Sequence, residues 1–153
     1  MRQKADPQRY FDWSLASTSK VVLQYEEKYH RISAILDANP QFVELVHRDL
    51  KELSRDKPGN RCGRKADFTS ENILRALIVH NLEGTSFRDT IIRIAHNPFL
   101  QNSLRLGVRR VMDFTFLDKC FKRIEPETMD QLNAGLLDFG VEQGQVDPSK
   151  LRV

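Results

Sequence analysis

Lys119, Lys122 and Arg123 stand at i, i+3 and i+4 in the stretch "TFLDKCFKRI". Cations at that spacing share one face of a helix. Leu117, Phe121 and Ile124 take the opposite face, so the residues predict a short helix that packs by its apolar side and is basic outside. Such a face suits phosphate contact or entry into a DNA major groove. Two neighbouring stretches add to it. "RDKPGNRCGRK" (55–65) carries Arg55, Lys57, Arg61, Arg64 and Lys65 against Asp56 alone. Residues 105–123 carry Arg105, Arg109, Arg110, Lys119, Lys122 and Arg123 against Asp113 and Asp118. Residues 124–147 then hold Glu125, Glu127, Asp130, Asp138, Glu142 and Asp147 with no Lys or Arg. A net charge of +3 therefore hides a basic part and an acidic part, and a polyanion would settle on the basic one. The plainer reading is a solvated face of a helical bundle.

Other chemistry finds little support. Cys62 and Cys120 lie far apart, and His30, His47, His80 and His96 show no HxxxH or CxxC spacing, so no metal site is expected. Neither GxSxG nor the phosphate-cradling GxxxxGK[ST] occurs. Glu125, Glu127 and Asp130 of "EPETMD" fall in a helix's first turn, where the dipole favours acids without any catalytic need. The residues by themselves predict no active site.

Those helices must come from a chain of 153 residues with 40% hydrophobic and 29% charged residues, the balance of one globular domain or of one domain with a loose arm. The best apolar run, "ILRALIV", contains Arg75 and is far short of the roughly 20 residues that a bilayer helix needs. "MRQKADPQRY" lacks an apolar segment behind its charges, so no secretory signal is read there. Two cysteines are too few for a disulfide framework, and the expected compartment is the cytoplasm.

Nearly every segment has helical period. Val22, Tyr25, Tyr29, Ile32 and Leu36 form one stripe that stops at Asn39-Pro40. Pro40 opens a second helix with Phe42 or Val43, Val46, Leu50 and Leu53 inward. After a basic loop, Thr69 or Ser70 caps "ENILRALIVHNLEG", apolar on nearly every side and hence the expected core helix, closed by Gly84. Ser86 with Asp89 reads as a capping box for "FRDTIIRIAHN", with Phe87, Ile91, Ile94 and Ala95 inward and Arg88, Arg93 and His96 outward. "LRLGVRRVMDF" reads as a loop, Thr115 with Asp118 as another capping box, and Pro126 as the start of a last long helix to about Val141. The expected fold class is all-α, a bundle of about five to six helices around a helix-turn-helix-like trihelical core. The expected organisation is an N-terminal helical arm or hairpin (1–54), a basic linker (55–68), the trihelical domain with its long acidic helix (69–147) and a lead-in strand (148–153).

Residues 63–124, "GRKADFTSENILRALIVHNLEGTSFRDTIIRIAHNPFLQNSLRLGVRRVMDFTFLDKCFKRI", resemble the N-terminal helical domain of bacterial insertion-sequence transposases of the DDE class. The pattern comprises an apolar helix ending in Leu82, Glu83, Gly84, Thr85 and Ser86, then Phe87 and Arg88 opening the next helix. Asn97, Leu100, Leu106 and Gly107 follow at the family's spacing, and Asp113, Thr115 and Leu117 match its Pro-Asp-x-Thr-x-Leu cap. Met112 stands where that pattern has proline. The resemblance implies a following RNase-H-like domain whose three carboxylates hold two Mg²⁺ ions, so the chain itself is expected to need no cofactor. In "QVDPSKLRV", Asp147-Pro148-Ser149 reads as a turn, and Lys150–Val153 alternates as a strand entering that domain would, so it is expected to be poorly packed or to lie against a neighbour.

The expected function is accordingly recognition of a transposon's terminal inverted repeats, without catalysis by this chain. Phosphate contacts fall to Arg61, Arg64, Lys65, Arg109 and Arg110, and groove contacts to Lys119, Lys122 and Arg123 or to Arg88 and Arg93. The partner is DNA, with a homodimer as a further option and neither a membrane nor a small-molecule substrate. Alternatives are a dimerisation module, in which the acidic last helix meets a basic face of a second copy, and a truncated copy acting as inhibitor.

Overall fold

A computed structural model describes residues 19–51, 68–145 and 147–150. Among these it contains seven α-helices, one terminal 3-10 turn and no strand. The all-α class is as the periodicity predicts.

Helix α1 (Lys20–Ala38) buries Tyr29 and Leu36 from its predicted stripe. It ends where the proline ring disfavours a helical Asn39, which adopts φ −129°, ψ 68°. The Asn39 amide donates to the Ile35 carbonyl at 2.8 Å and satisfies one of the carbonyls that a helix end leaves unpaired. Pro40, with φ −60°, then leads into α2 (Gln41–Leu50), whose buried Phe42, Val46 and Leu50 recur every fourth residue.

α3 (Ser70–Glu83) is the central element. Thr69 and Asn72 form a reciprocal capping box at its start. Buried side chains run from Asn72 through Leu77 and include Val79, as a helix surrounded by others requires. Gly84 closes it at φ 61°, the left-handed region that glycine enters without a Cβ clash. α4 (Phe87–His96) follows at once. α5 (Pro98–Ser103) is a helix that the sequence pattern does not announce: Asn97-Pro98 has the look of a turn, yet Asn97 caps the Phe99 N–H and Pro98 takes the first helical position.

α6 (Phe114–Arg123) and α7 (Pro126–Glu142) occupy the two predicted C-terminal positions. The cap of α6 differs from the expected Thr115–Asp118 box. Asp113 is the N-cap and accepts from the Thr115 N–H at 2.7 Å and from its hydroxyl at 2.8 Å. Asp118 instead faces Lys122 one turn on.

α3 packs against α2, α4 and α6; α7 lies on α2, and α1 on α5. One core therefore joins residues on both sides of 52–67, from Tyr29 through Val46, Val79, Ile94 and Leu117 to Leu132. Residues 20–50 pack as α1 and α2 directly onto this core. The basic linker at 55–68 lies outside the described residues apart from Phe68, which packs on the core. Gly135 permits a close approach of α7 to α2: a Cβ there would sit 2.6 Å from Phe42 Cε1.

Buried polar groups are paired, as a low-dielectric interior demands. Arg75, only 4% exposed, reaches Glu71 at 2.9 Å, Ser33 at 2.9 Å, the Ser103 carbonyl at 3.1 Å and Asp37 at 3.4 Å. Asp49 accepts the Glu125 N–H at 3.1 Å and so fixes the end of α2 to the start of α7. At the C-terminal end, Asp147 caps a 3-10 turn at Pro148–Lys150, while the alternating residues 151–153 lie outside the described residues.

Candidate nucleic-acid interface

The turn between α3 and α4 is held by a chain of hydroxyls. Thr90, fully buried, donates to the Ser86 carbonyl at 2.8 Å and meets Thr85 Oγ1 at 2.9 Å and His80 Nδ1 at 3.2 Å. Ser86 caps α4 by accepting the Asp89 N–H at 3.1 Å, and its own hydroxyl donates to the Asp89 carboxylate at 2.8 Å. The His80 ring lies flat on Phe87, 4.0 Å between centroids. Thr90 and Ile94 are the buried residues of α4, and Ala95, expected inside, is exposed. A hydroxyl fits this position because three oxygen and nitrogen partners surround it.

α6 packs across α4 and α3. Its buried residues are Leu117 and Cys120. Burial pushes the Cys120 thiol up to about 11, so it stays protonated and packs as a small apolar group. Phe121, expected inside, is 45% exposed, because the buried stripe of α6 runs through Leu117, Cys120 and Ile124 and leaves Phe121 at its edge, against Phe87. Phe114, Phe121, Lys119, Lys122 and Arg123 are left on the outer surface of α6. From α4, Arg88 extends over the Phe114 ring, its guanidinium carbon 5.5 Å from the centroid. Arg88 of α4 thus reaches α6 at Phe114, while Lys119 and Lys122, one turn apart, are exposed on α6 itself and Arg110 lies in the loop that enters it.

Arg88, Arg110 and Lys119 have no carboxylate partner among the described residues. Lys122 Nζ is 2.7 Å from Asp118, but its side chain is 71% exposed. Such an i,i+4 surface pair is worth about 0.3–0.5 kcal/mol, so a phosphate displaces it cheaply.

The other cations expected to meet DNA are engaged elsewhere. Arg93 lies 2.9 Å from Glu83, which also accepts the Tyr25 and Tyr29 hydroxyls at 2.8 and 2.6 Å. Burial works to raise the Glu83 carboxyl, but the two phenols, Lys28 and Arg93 outweigh it and hold the group below the ordinary range. In return the Tyr25 phenol is pushed up to about 12, by burial first and by Glu83 second, and burial with Glu83 drives Tyr29 further in the same direction. Arg109 donates to Asn72 Oδ1 at 3.0 Å beside the start of α3. Arg105 bridges Asp37 and Glu71, each at 2.8 Å, and belongs to the Arg75 network. Arg123 borders a surface recess shared with Arg48, Asp49 and Glu125. Arg61, Arg64 and Lys65 lie outside the described residues.

Two rings belong to this surface that the sequence reading did not place there. Phe114 and Phe121 are seven residues apart, two helical turns, and that spacing was available in the sequence as a signal that they share a face. No group of three or more His, Cys, Asp or Glu among the described residues is arranged to hold a metal ion. No described helix is long and apolar enough to cross a membrane. Comparison of the chain with protein-family models, curated proteins and solved structures gave no match.

Proposed function

We propose that this chain is a DNA-binding domain of the transposase kind, gripping DNA through the surface where α4 crosses α6. The observation that carries the reading is the exposure of Arg88 on α4 and of Lys119 and Lys122 on α6, two capped helices packed together, with no carboxylate claiming Arg88 or Lys119 among the described residues. Phosphate contact needs mobile, lightly paired cations on a rigid support, and this surface meets both conditions. In this reading the chain binds transposon ends and supplies no catalytic group. Strand transfer, with its Mg²⁺ ions, belongs to an RNase-H-like domain of the sort the resemblance implies. Retardation of labelled duplexes taken from the gene's own flanks tests the proposal. Binding at low salt is expected, with preference for the flanking repeats over scrambled duplex; a folded chain that retards neither contradicts it.

One observation favours a second reading, self-association. α7 leaves Met129, Leu136, Leu137 and Val141 between 38% and 46% exposed, beside Glu127, Asp130, Asp138 and Glu142. An apolar, acidic helix face complements the basic α4–α6 surface of a second copy. Light scattering separates the cases, since a strict monomer at high concentration removes this one.

A further inference from the structure

We propose that the α4–α6 surface takes unpaired nucleotides in preference to intact duplex, stacking their bases on Phe114 and Phe121. The proposal rests on the DNA-binding reading and specifies its ligand. Phe114 is 37% and Phe121 45% exposed on a ten-residue helix that otherwise buries its apolar side. Single exposed apolar residues are ordinary on protein surfaces. These two share one face, about 10 Å apart along the axis at 1.5 Å per residue. That spacing corresponds to roughly three nucleotides at the 3.4 Å rise of one strand.

Both rings are set in place. Arg88 covers one side of Phe114 at 5.5 Å. Phe121 leans on Phe87 at 5.6 Å, and Phe87 is itself stacked on His80. The ladder of rings thus runs from the turn between α3 and α4 out to solvent. A surface for duplex phosphates needs cations but has no use for rings, because paired bases hide their faces inside the stack. Unpaired bases present those faces, and aromatic rings interleaved with cations are the usual means of holding single strands. A protein partner is the competing occupant of exposed rings. Protein interfaces, however, are depleted in lysine, and Lys122 occupies the exposed side of α6 next to the two rings, with Lys119 farther round the helix.

The test uses the full 153-residue chain and fluorescence anisotropy with three labelled probes: a single strand, its blunt duplex, and the duplex with an unpaired tail. The single strand and the tailed duplex are expected to bind at least about ten-fold tighter than the blunt duplex, given the worth of one stacked base. F114L and F121L keep apolar volume but remove the ring face. Each should weaken tailed-probe binding by roughly 5- to 100-fold and leave blunt-duplex binding nearly unchanged. F121W, which retains a ring, should keep the preference, and circular dichroism confirms that each variant is folded. Equal binding of all three probes by the unaltered chain overturns the proposal while leaving DNA binding intact, as does an equal loss on every probe in the leucine variants. Absence of binding to any probe by folded protein overturns the DNA-binding reading as well and leaves the rings to a protein partner.

Discussion

The Arg88 guanidinium of α4 rests 5.5 Å from the centre of the Phe114 ring of α6, so a cation from one helix is laid over an exposed ring of the next. The contact ties the charged surface to the helix crossing that creates it. It also separates Arg88 from Arg93, five residues further along α4, whose side chain is turned to Glu83.

That separation predicts different behaviour for the two arginines. R88A and K119A should each weaken duplex binding and reduce the slope of log affinity against log salt by about 0.9, the worth of one released counterion. R93A should leave the slope unchanged and lower the melting temperature instead. Salt-series binding curves and thermal melts of the three variants check this.

Glu83 gives a pH signature. Its native carboxyl is held below the ordinary value of 4.5, with the phenols and cations outweighing burial, so its contribution is complete above that value and disappears as pH falls through the depressed native one. E83Q should lose about 1.5–3 kcal/mol at neutral pH, the range for hydrogen bonds to a charged group. It should also show a flatter fall in stability below pH 4.5 than the unaltered chain. Denaturant midpoints across that range measure it.

Gly135 is predicted to resist even one added methyl group. G135A drives a Cβ to within 2.6 Å of Phe42 unless α7 moves off α2, and overpacking of this kind costs about 1–3 kcal/mol. The gain in helix propensity of about 1 kcal/mol from replacing glycine offsets only part of that. Urea unfolding should show a lower midpoint; a higher one would mean that Phe42 has room to turn aside.

Asp49 should act as a clasp between α2 and α7. Burial opposes its charge, but hydrogen bonds from Thr128 and the Glu125 N–H, together with Arg48, keep the carboxyl below its ordinary range. D49A leaves the Glu125 N–H without its partner, and a loss of about 1–3 kcal/mol follows. Hydrogen exchange at the first turn of α7 should rise before that in α3.

Much of this architecture is written in local residue chemistry. The stop at Asn39-Pro40, the Thr69 cap, Gly84 and the start of α7 at Pro126 each follow from a residue that acts within one turn of itself. The sequence pattern fails where a distant contact decides. Thr90 is buried because His80, Thr85 and the Ser86 carbonyl converge on it, and Phe121 is left at the edge because the packing of α6 on α3 and α4 centres on Leu117 and Cys120. α5 is hidden because Asn-Pro serves equally as a turn and as a helix start. For the site, charge alone put ten cations forward, and only tertiary pairing separates Arg88 and Lys119 from Arg93 and Arg109.

The central claim, that the α4–α6 surface binds DNA through Arg88, Lys119 and Lys122, is tested most directly by duplex affinity as a function of salt. Three phosphate contacts predict a slope near −2.7, or about a forty-fold loss of affinity between 50 and 200 mM salt, and a slope near −0.9 when Arg88 and Lys119 are both replaced by alanine. A folded chain that does not bind duplex at the lower salt, or whose slope the double replacement leaves unchanged, contradicts the account.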